Sequence, residues 1–117
     1  MDGYLLCDDL IFVSRITGTA RALGLEVQAV RSPAQLHNLL RQESVRCLLV
    51  DLHCPGLSIA DMVKALPQPR PYIVGYGSHV DTAMLKAARE AGCDLVLPRS
   101  KFVEELPHAL PTWMAPH

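Results

Sequence analysis

Short runs of apolar residues alternate along the chain with longer stretches in which apolar residues recur at helical spacing. An uninterrupted apolar run is typical of a strand buried on both faces, whereas helical spacing is typical of an amphipathic helix. The pattern predicts strands at Tyr4–Cys7, Leu25–Val30, Cys47–Val50, Tyr72–Gly75 and Leu95–Leu97. Strands that alternate with helices in this way indicate a parallel sheet covered by helices on both faces.

Helix boundaries are marked by capping residues. The sequence Ser32-Pro33-Ala34-Gln35 combines a capping serine, a proline at the first helical position and a glutamine three residues after the cap. Ser58 and Asp81 are predicted to cap two further helices at their N-termini. Gly24 and Gly92 are predicted to end helices in the left-handed conformation.

The order of the elements predicts the topology. Right-handed crossovers between five parallel strands favour a flavodoxin-like, doubly wound α/β fold with strand order 2-1-3-4-5. A chain of 117 residues, 50% of them hydrophobic, is expected to form one compact domain over residues 1–117. Pro107, Pro111 and Pro116 predict that a last helix starting near Ser100 is short or kinked, and that residues 107–117 form a proline-rich tail.

Composition and charge narrow the class of protein. The net charge of −1 provides no overall field that would gather nucleic acid or anionic lipid. The apolar runs are too short to cross a bilayer, and the N-terminus lacks the basic start of a signal peptide. We therefore expect a cytoplasmic protein that binds neither nucleic acid nor membrane directly. Four cysteines without a CxxC pair are expected to be free thiols.

Acidic residues follow two of the predicted strands. Asp8 and Asp9 come directly after the first strand, and Asp51 ends the third. In the order 2-1-3-4-5 these strands are neighbours, so the three carboxylates are expected to converge and repel one another. Mg²⁺ relieves such repulsion, and a carboxylate beside it can act as a nucleophile that forms an aspartyl phosphate. Alternatively, Asp8 or Asp9 caps the first helix and Asp51 binds loop amides.

Three segments carry a resemblance to a known family. YLLCDD, CLLVDLHCPG and AGCDLVLPRSKF are similar to the acidic, phosphoacceptor and fifth-strand segments of response-regulator receiver domains, and the likeness extends over nearly the whole chain. The resemblance implies that Asp51 accepts a phosphoryl group, that Asp8 and Asp9 hold Mg²⁺, and that the main-chain carbonyl of His53 is a further ligand. The His53 imidazole is expected to be incidental. The implied partner is a sensor histidine kinase or another signalling protein, and the expected state is a monomer or weak dimer.

The chain also departs from the family pattern where the phosphoryl charge would be stabilised or sensed. Tyr76 occupies the place of the usual threonine or serine after the fourth strand, and Ser78 replaces it only if the loop bends inward. Arg99 replaces the usual lysine after the fifth strand, and a planar guanidinium differs from a compact ammonium. Two hypotheses remain: an unconventional receiver, or a pseudo-receiver that acts through protein contacts without phosphorylation.

Other functional classes have weaker support. Residues 51–56 fit DxHxxG, the pattern by which cobalamin-binding domains present a histidine to cobalt, but the sequence contains no Gly-Gly. The chain lacks GxGxxG and GxxxxGK[ST]. Ser78, His79 and Asp81 are too close in one loop to form a hydrolytic relay. We therefore predict a regulatory domain rather than an enzyme.

Overall fold

A computed structural model describes residues 1–116; His117, at the end of the predicted tail, lies outside the described residues. Five parallel strands form one sheet in the order β2-β1-β3-β4-β5, which confirms the predicted flavodoxin-like topology. The strands are β1 (Gly3–Leu6), β2 (Val27–Val30), β3 (Cys47–Asp51), β4 (Tyr72–Gly77) and β5 (Leu95–Pro98). The helices are α1 (Leu10–Ala22), α2 (Pro33–Gln42), α3 (Ile59–Lys64), α4 (Thr82–Ala91) and α5 (Arg99–Trp113).

The predicted capping residues begin and end the helices. The Ser32 hydroxyl accepts a hydrogen bond from the Gln35 N–H at 3.2 Å at the start of α2. Ser58 and Asp81 cap α3 and α4 in the same way. Gly92 ends α4 with φ = 110°, a left-handed conformation that favours glycine. Local polar chemistry therefore sets these boundaries.

The sheet separates two apolar layers. Leu6, Leu48 and Val50 point to the side covered by α2, α3 and α4, where they join the first buried cluster. Leu5 and Leu49 point to the opposite side, where α1 and α5 complete the second cluster. Every residue of β3 is buried, because the strand lies in the middle of the sheet with apolar layers on both faces. This explains why Cys47–Val50 is apolar without interruption.

The last helix corrects one expectation. α5 has 15 residues and continues through Pro107 and Pro111, so the expected short last helix is wrong and the chain is helical as far as Trp113. Each internal proline removes a main-chain donor. Packing outweighs this loss, because α5 buries four apolar side chains at helical spacing: Phe102, Leu106, Leu110 and Trp113. Neither α5 nor any other helix within residues 1–116 is long and apolar enough to cross a membrane.

An ion pair connects two segments at the edge of the sheet where the strands begin, opposite the edge with the acidic residues. Arg70 donates two hydrogen bonds to the Asp94 carboxylate, at 3.0 and 2.9 Å. Asp94 also accepts the Ile73 N–H at 2.8 Å. These contacts tie the segments that lead into β4 and β5, so the role of Asp94 at this edge is structural.

Candidate functional site

The acidic residues leave the sheet at one edge. β1 pairs directly with β3 in a register that places Leu6 beside Val50. Asp8 and Asp9 follow β1, and Asp51 is the last residue of β3. The predicted adjacency of the two strands is therefore confirmed. We call Asp8, Asp9 and Asp51 the acidic corner.

Asp51 is the one buried charged residue among residues 1–116, with 8% of its surface exposed. Its Oδ1 accepts a hydrogen bond from the His53 N–H at 2.9 Å. Its Oδ2 lies 3.7 Å from the Cys7 Sγ, a weak donor. No lysine, arginine or histidine within the described residues forms an ion pair with Asp51. The carboxylate is thus buried without a counter-charge, an arrangement that is costly unless a cation compensates it.

The two acids after β1 differ in their roles. The Asp9 Oδ1 accepts hydrogen bonds from the Ile11 N–H at 3.0 Å and the Phe12 N–H at 3.2 Å, and so caps α1. The alternative interpretation is therefore confirmed for one oxygen of Asp9, which caps α1, and for Oδ1 of Asp51, which accepts the His53 loop amide. Asp8 is exposed, and its carboxylate has no hydrogen bond or ion pair with the part of the chain that the structure describes.

The negative charge of the acidic corner contributes to the raised pKa values of two nearby cysteines. Burial raises the pKa of Cys54 to about 11, and the charges of Asp51 and Asp8 add to the rise. Burial also raises the pKa of Cys7, and the charge of Asp51 adds to the rise. Both thiols are therefore protonated near neutral pH and are poor metal ligands. Within residues 1–116, no three His, Cys, Asp or Glu side chains are grouped tightly enough to hold a metal by themselves.

Tyr76 lies next to Asp51 in the sheet but directs its ring into the core. The two residues are register partners in β3 and β4. The ring is fully buried between Phe12, at a centroid distance of 5.3 Å, and Phe102, at 4.3 Å. Its hydroxyl has no hydrogen-bond partner of good geometry among the described residues, and burial raises its pKa, with a further contribution from Cys7. Tyr76 therefore does not present a free hydroxyl to the open edge of the sheet.

The loop after β4 is held by the His53 side chain. The Ser78 N–H donates to the His53 Nε2 at 2.9 Å, and the Ser78 hydroxyl accepts the Val80 N–H at 3.4 Å. A Cβ at Gly77 would lie 3.2 Å from the His53 Nε2, so glycine permits the close approach. The imidazole has a defined structural contact that the sequence did not predict. The glycine between Tyr76 and Ser78 was the available signal.

The same contact bears on the DxHxxG alternative. The Nε2 of His53 already accepts a hydrogen bond from the Ser78 N–H, which must break before this nitrogen can bind cobalt. The observed geometry instead uses the imidazole to connect two loops.

Arg99 is the first residue of α5 and is exposed. Its guanidinium carbon lies 5.8 Å from the centroid of the Phe12 ring, within the range of a cation–π contact. It forms no ion pair within the described residues. Lys101 pairs with Glu105 on the surface of α5, at 3.5 Å.

An apolar groove lies away from the acidic corner. It has a volume of about 420 Å³ and runs between α2 and α3. Its lining is largely apolar and includes Leu36, Leu40, Met62 and Leu66. The groove contains none of the residues predicted to carry chemistry.

Comparison with known proteins identifies relatives of the fold. No protein-family model matches this chain. The response regulator protein TodT of Pseudomonas putida is 28% identical over 92 residues, which cover 76% of this chain and 40% of TodT. The chain thus spans well under half the length of the curated relatives that it matches.

Solved structures of receiver domains superpose on nearly the whole chain. A signal receiver domain from Bermanella marisrubri has a TM-score of 0.82 and 20% identity, and covers 97% of both chains. The receiver domain of a sensor histidine kinase from Pseudomonas aeruginosa, with magnesium in its active-site cleft, has a TM-score of 0.80 and 20% identity, covering 96% of this chain and 95% of that one. A Burkholderia pseudomallei response regulator with a phosphorylated aspartic acid and calcium has a TM-score of 0.76 and 22% identity, covering 96% and 67%. The resemblance to response-regulator receiver domains is confirmed at the level of the fold.

Proposed function

We propose that this chain is a receiver module of two-component signalling in which Asp51 accepts a phosphoryl group. The single observation that carries the proposal is the buried Asp51 carboxylate without a basic partner among residues 1–116. Such a group calls for a cation at the acidic corner. The phosphodonor that we infer is a sensor histidine kinase or another signalling protein, and we infer no direct contact with nucleic acid.

The donor atoms at the corner suit magnesium. Asp8 and Asp51 offer carboxylate oxygens, and Asp9 retains the oxygen that does not cap α1. The His53 carbonyl accepts no hydrogen bond from the described residues and is available as a further ligand. These are hard oxygen donors, and Mg²⁺ completes its coordination with water. When bound, the ion supplies positive charge that offsets the repulsion between the carboxylates and attracts a phosphodonor.

The two oxygens of Asp51 are not equivalent. Oδ1 is oriented by the His53 N–H at 2.9 Å, whereas Oδ2 meets only the weak Cys7 thiol donor at 3.7 Å. Oδ2 is therefore the better nucleophile. Its attack on phosphorus forms the new P–O bond as the bond to the leaving group breaks, and the electron pair departs with that group. The product is an aspartyl phosphate.

A pseudo-receiver is the second candidate, and the structure around Tyr76 favours it. The Tyr76 hydroxyl is buried, the Ser78 hydroxyl accepts the Val80 N–H, and Arg99 lies over an aromatic ring. None of these groups is directed to a phosphoryl group on Asp51 as the structure stands. In this alternative the chain acts through a protein contact that does not depend on phosphate.

An NMR titration separates the two candidates. Mg²⁺ is added to ¹⁵N-labelled protein, followed by beryllofluoride, an analogue of the phosphoryl group. The receiver proposal predicts saturable Mg²⁺ shifts near Asp8 and Asp51, and a second set of shifts in the loop after β4 on adding beryllofluoride. Asp51→Asn should lose the second set, whereas Asp61→Asn, an exposed acid on α3, should keep both. Mg²⁺ shifts without any response to beryllofluoride would support the pseudo-receiver.

A further inference from the structure

We infer that a second site, adjoining the acidic corner, binds a small polyanion. A cleft of about 580 Å³ opens between α1, the loop after β4 and the start of α5. Arg15, His79 and Arg99 line it, together with the hydroxyl-bearing Ser78 and Ser100 and the ring of Phe12. We call it the basic cleft. No aspartate or glutamate contributes to its lining.

Two unpaired guanidinium groups carry the inference. Neither Arg15 nor Arg99 forms an ion pair with the described residues, and neither guanidinium donates a hydrogen bond to them. Two like charges on one cleft repel each other, and a dianion that contacts both removes the repulsion. A guanidinium presents its donors in a planar fork that matches carboxylate and phosphate oxygens. This positive charge belongs to the cleft and not to the whole chain, whose net charge is −1.

Neutral hydrogen-bond donors in the basic cleft also favour an anionic ligand. The Ser78 hydroxyl accepts a hydrogen bond from Val80, which leaves its own proton free to donate. Ser100 lies in the first turn of α5, and Pro98 at the N-cap gives that turn no side-chain cap. The Phe12 ring forms an apolar wall, and its cation–π contact helps to orient Arg99. The cleft thus offers charged and neutral donors, and the ligand class is a compact phosphate- or carboxylate-bearing dianion.

The basic cleft and the acidic corner select ligands of opposite charge. The corner consists of carboxylates that attract a cation, whereas the cleft consists of arginines and hydroxyls that attract an anion. Binding in the cleft requires neither Mg²⁺ nor phosphorylation of Asp51. A failure of the receiver proposal therefore leaves this inference standing, and the reverse is also true.

The test is a ¹⁵N NMR titration with pyrophosphate and, separately, citrate, at constant ionic strength and without Mg²⁺, which both anions chelate. We expect saturable shifts of the Ser78, His79 and Ser100 amides. Arg15→Gln and Arg99→Gln should each weaken binding about tenfold, the effect of losing a charge-assisted contact. Arg21→Gln, on the same helix as Arg15 but outside the cleft, is the matched control and should bind as the wild type does.

The relative affinities of the two probes distinguish a phosphate from a carboxylate ligand. The inference is overturned if the shifts fail to saturate with both probes. It is equally overturned if Arg21→Gln weakens binding as much as Arg15→Gln does, because the anion would then be responding to net charge rather than to the cleft. All three arginines are exposed, so the variants are expected to fold, and the dispersion of their spectra checks this.

Discussion

The His53 Nε2 accepts a hydrogen bond from the main-chain N–H of Ser78 at 2.9 Å, which joins the loop after β3 to the loop after β4. A main-chain donor in this position is protected from exchange with solvent. In His53→Ala we expect the Ser78 amide to exchange roughly five to ten times faster, in line with the loss of one hydrogen bond. His79→Ala removes a neighbouring exposed imidazole and is the control. Unchanged exchange at Ser78 in His53→Ala would show that the contact does not hold the loop in solution.

A second prediction concerns the stability of a variant that lacks the buried Tyr76 hydroxyl. Because it has no hydrogen-bond partner of good geometry, Tyr76→Phe removes a desolvated polar atom while keeping the stacking on Phe102. We expect the free energy of unfolding to stay the same or to rise by up to about 1 kcal/mol. Urea denaturation measures this change. A loss of more than about 1 kcal/mol would mean that the hydroxyl does have a strong partner.

Gly3 and Gly18 allow the same substitution, glycine to alanine, to be compared at a crowded and at an open position. A Cβ at Gly3 would lie 2.8 Å from the Cys47 carbonyl oxygen and 2.8 Å from the Met114 Sδ, whereas a Cβ at Gly18 meets nothing within 4 Å. Gly3→Ala should therefore cost about 1–3 kcal/mol through overpacking. Gly18→Ala, inside α1, should stabilise the protein by about 0.4–1 kcal/mol. Equal effects in urea denaturation would contradict the close packing of β1 against Met114.

The raised pKa values of two cysteine thiols predict that the folded protein loses stability at alkaline pH. Burial raises the pKa of both Cys54 and Cys93 from 9.0 to about 11. Between these values the unfolded thiols ionise while the folded ones stay protonated, so the folded state holds more protons and stability falls as pH rises. Well below pH 9 the thiols are protonated in both states and these groups have no effect. The melting temperature should therefore fall more steeply between pH 9 and 11 in the wild type than in a Cys54→Ala, Cys93→Ala double variant. Parallel curves would rule out this origin.

Much of the fold follows from local patterns in the sequence. The apolar run Cys47–Val50 predicted a buried central strand, and Ser32, Ser58 and Asp81 marked helix starts that the structure confirms. The adjacency of β1 and β3 followed from the crossover rule, and it placed the residues after β1 and the last residue of β3 at one edge of the sheet. These features depend on periodicity, capping and handedness, all of which the sequence displays directly.

The features that the sequence did not predict depend on neighbours distant along the chain. Pro107 and Pro111 indicated a short or kinked helix, but the packing of Phe102 and Trp113 in the second cluster accompanies a helix that continues to Trp113. The role of the His53 imidazole depends on the loop 25 residues later, where Gly77 was the available signal of a close approach but did not identify its partner. Tertiary packing therefore decides these details.

The most direct test of the central claim is the covalent state of Asp51. Protein incubated with acetyl phosphate and Mg²⁺ is analysed by intact-mass spectrometry, with Asp51→Asn and Asp61→Asn treated in parallel. The proposal predicts a gain of one phosphoryl group in the wild type and in Asp61→Asn, none in Asp51→Asn, and loss of the gain when EDTA replaces Mg²⁺. Equal labelling of the wild type and Asp51→Asn, or no labelling of the wild type at any Mg²⁺ concentration, would contradict it.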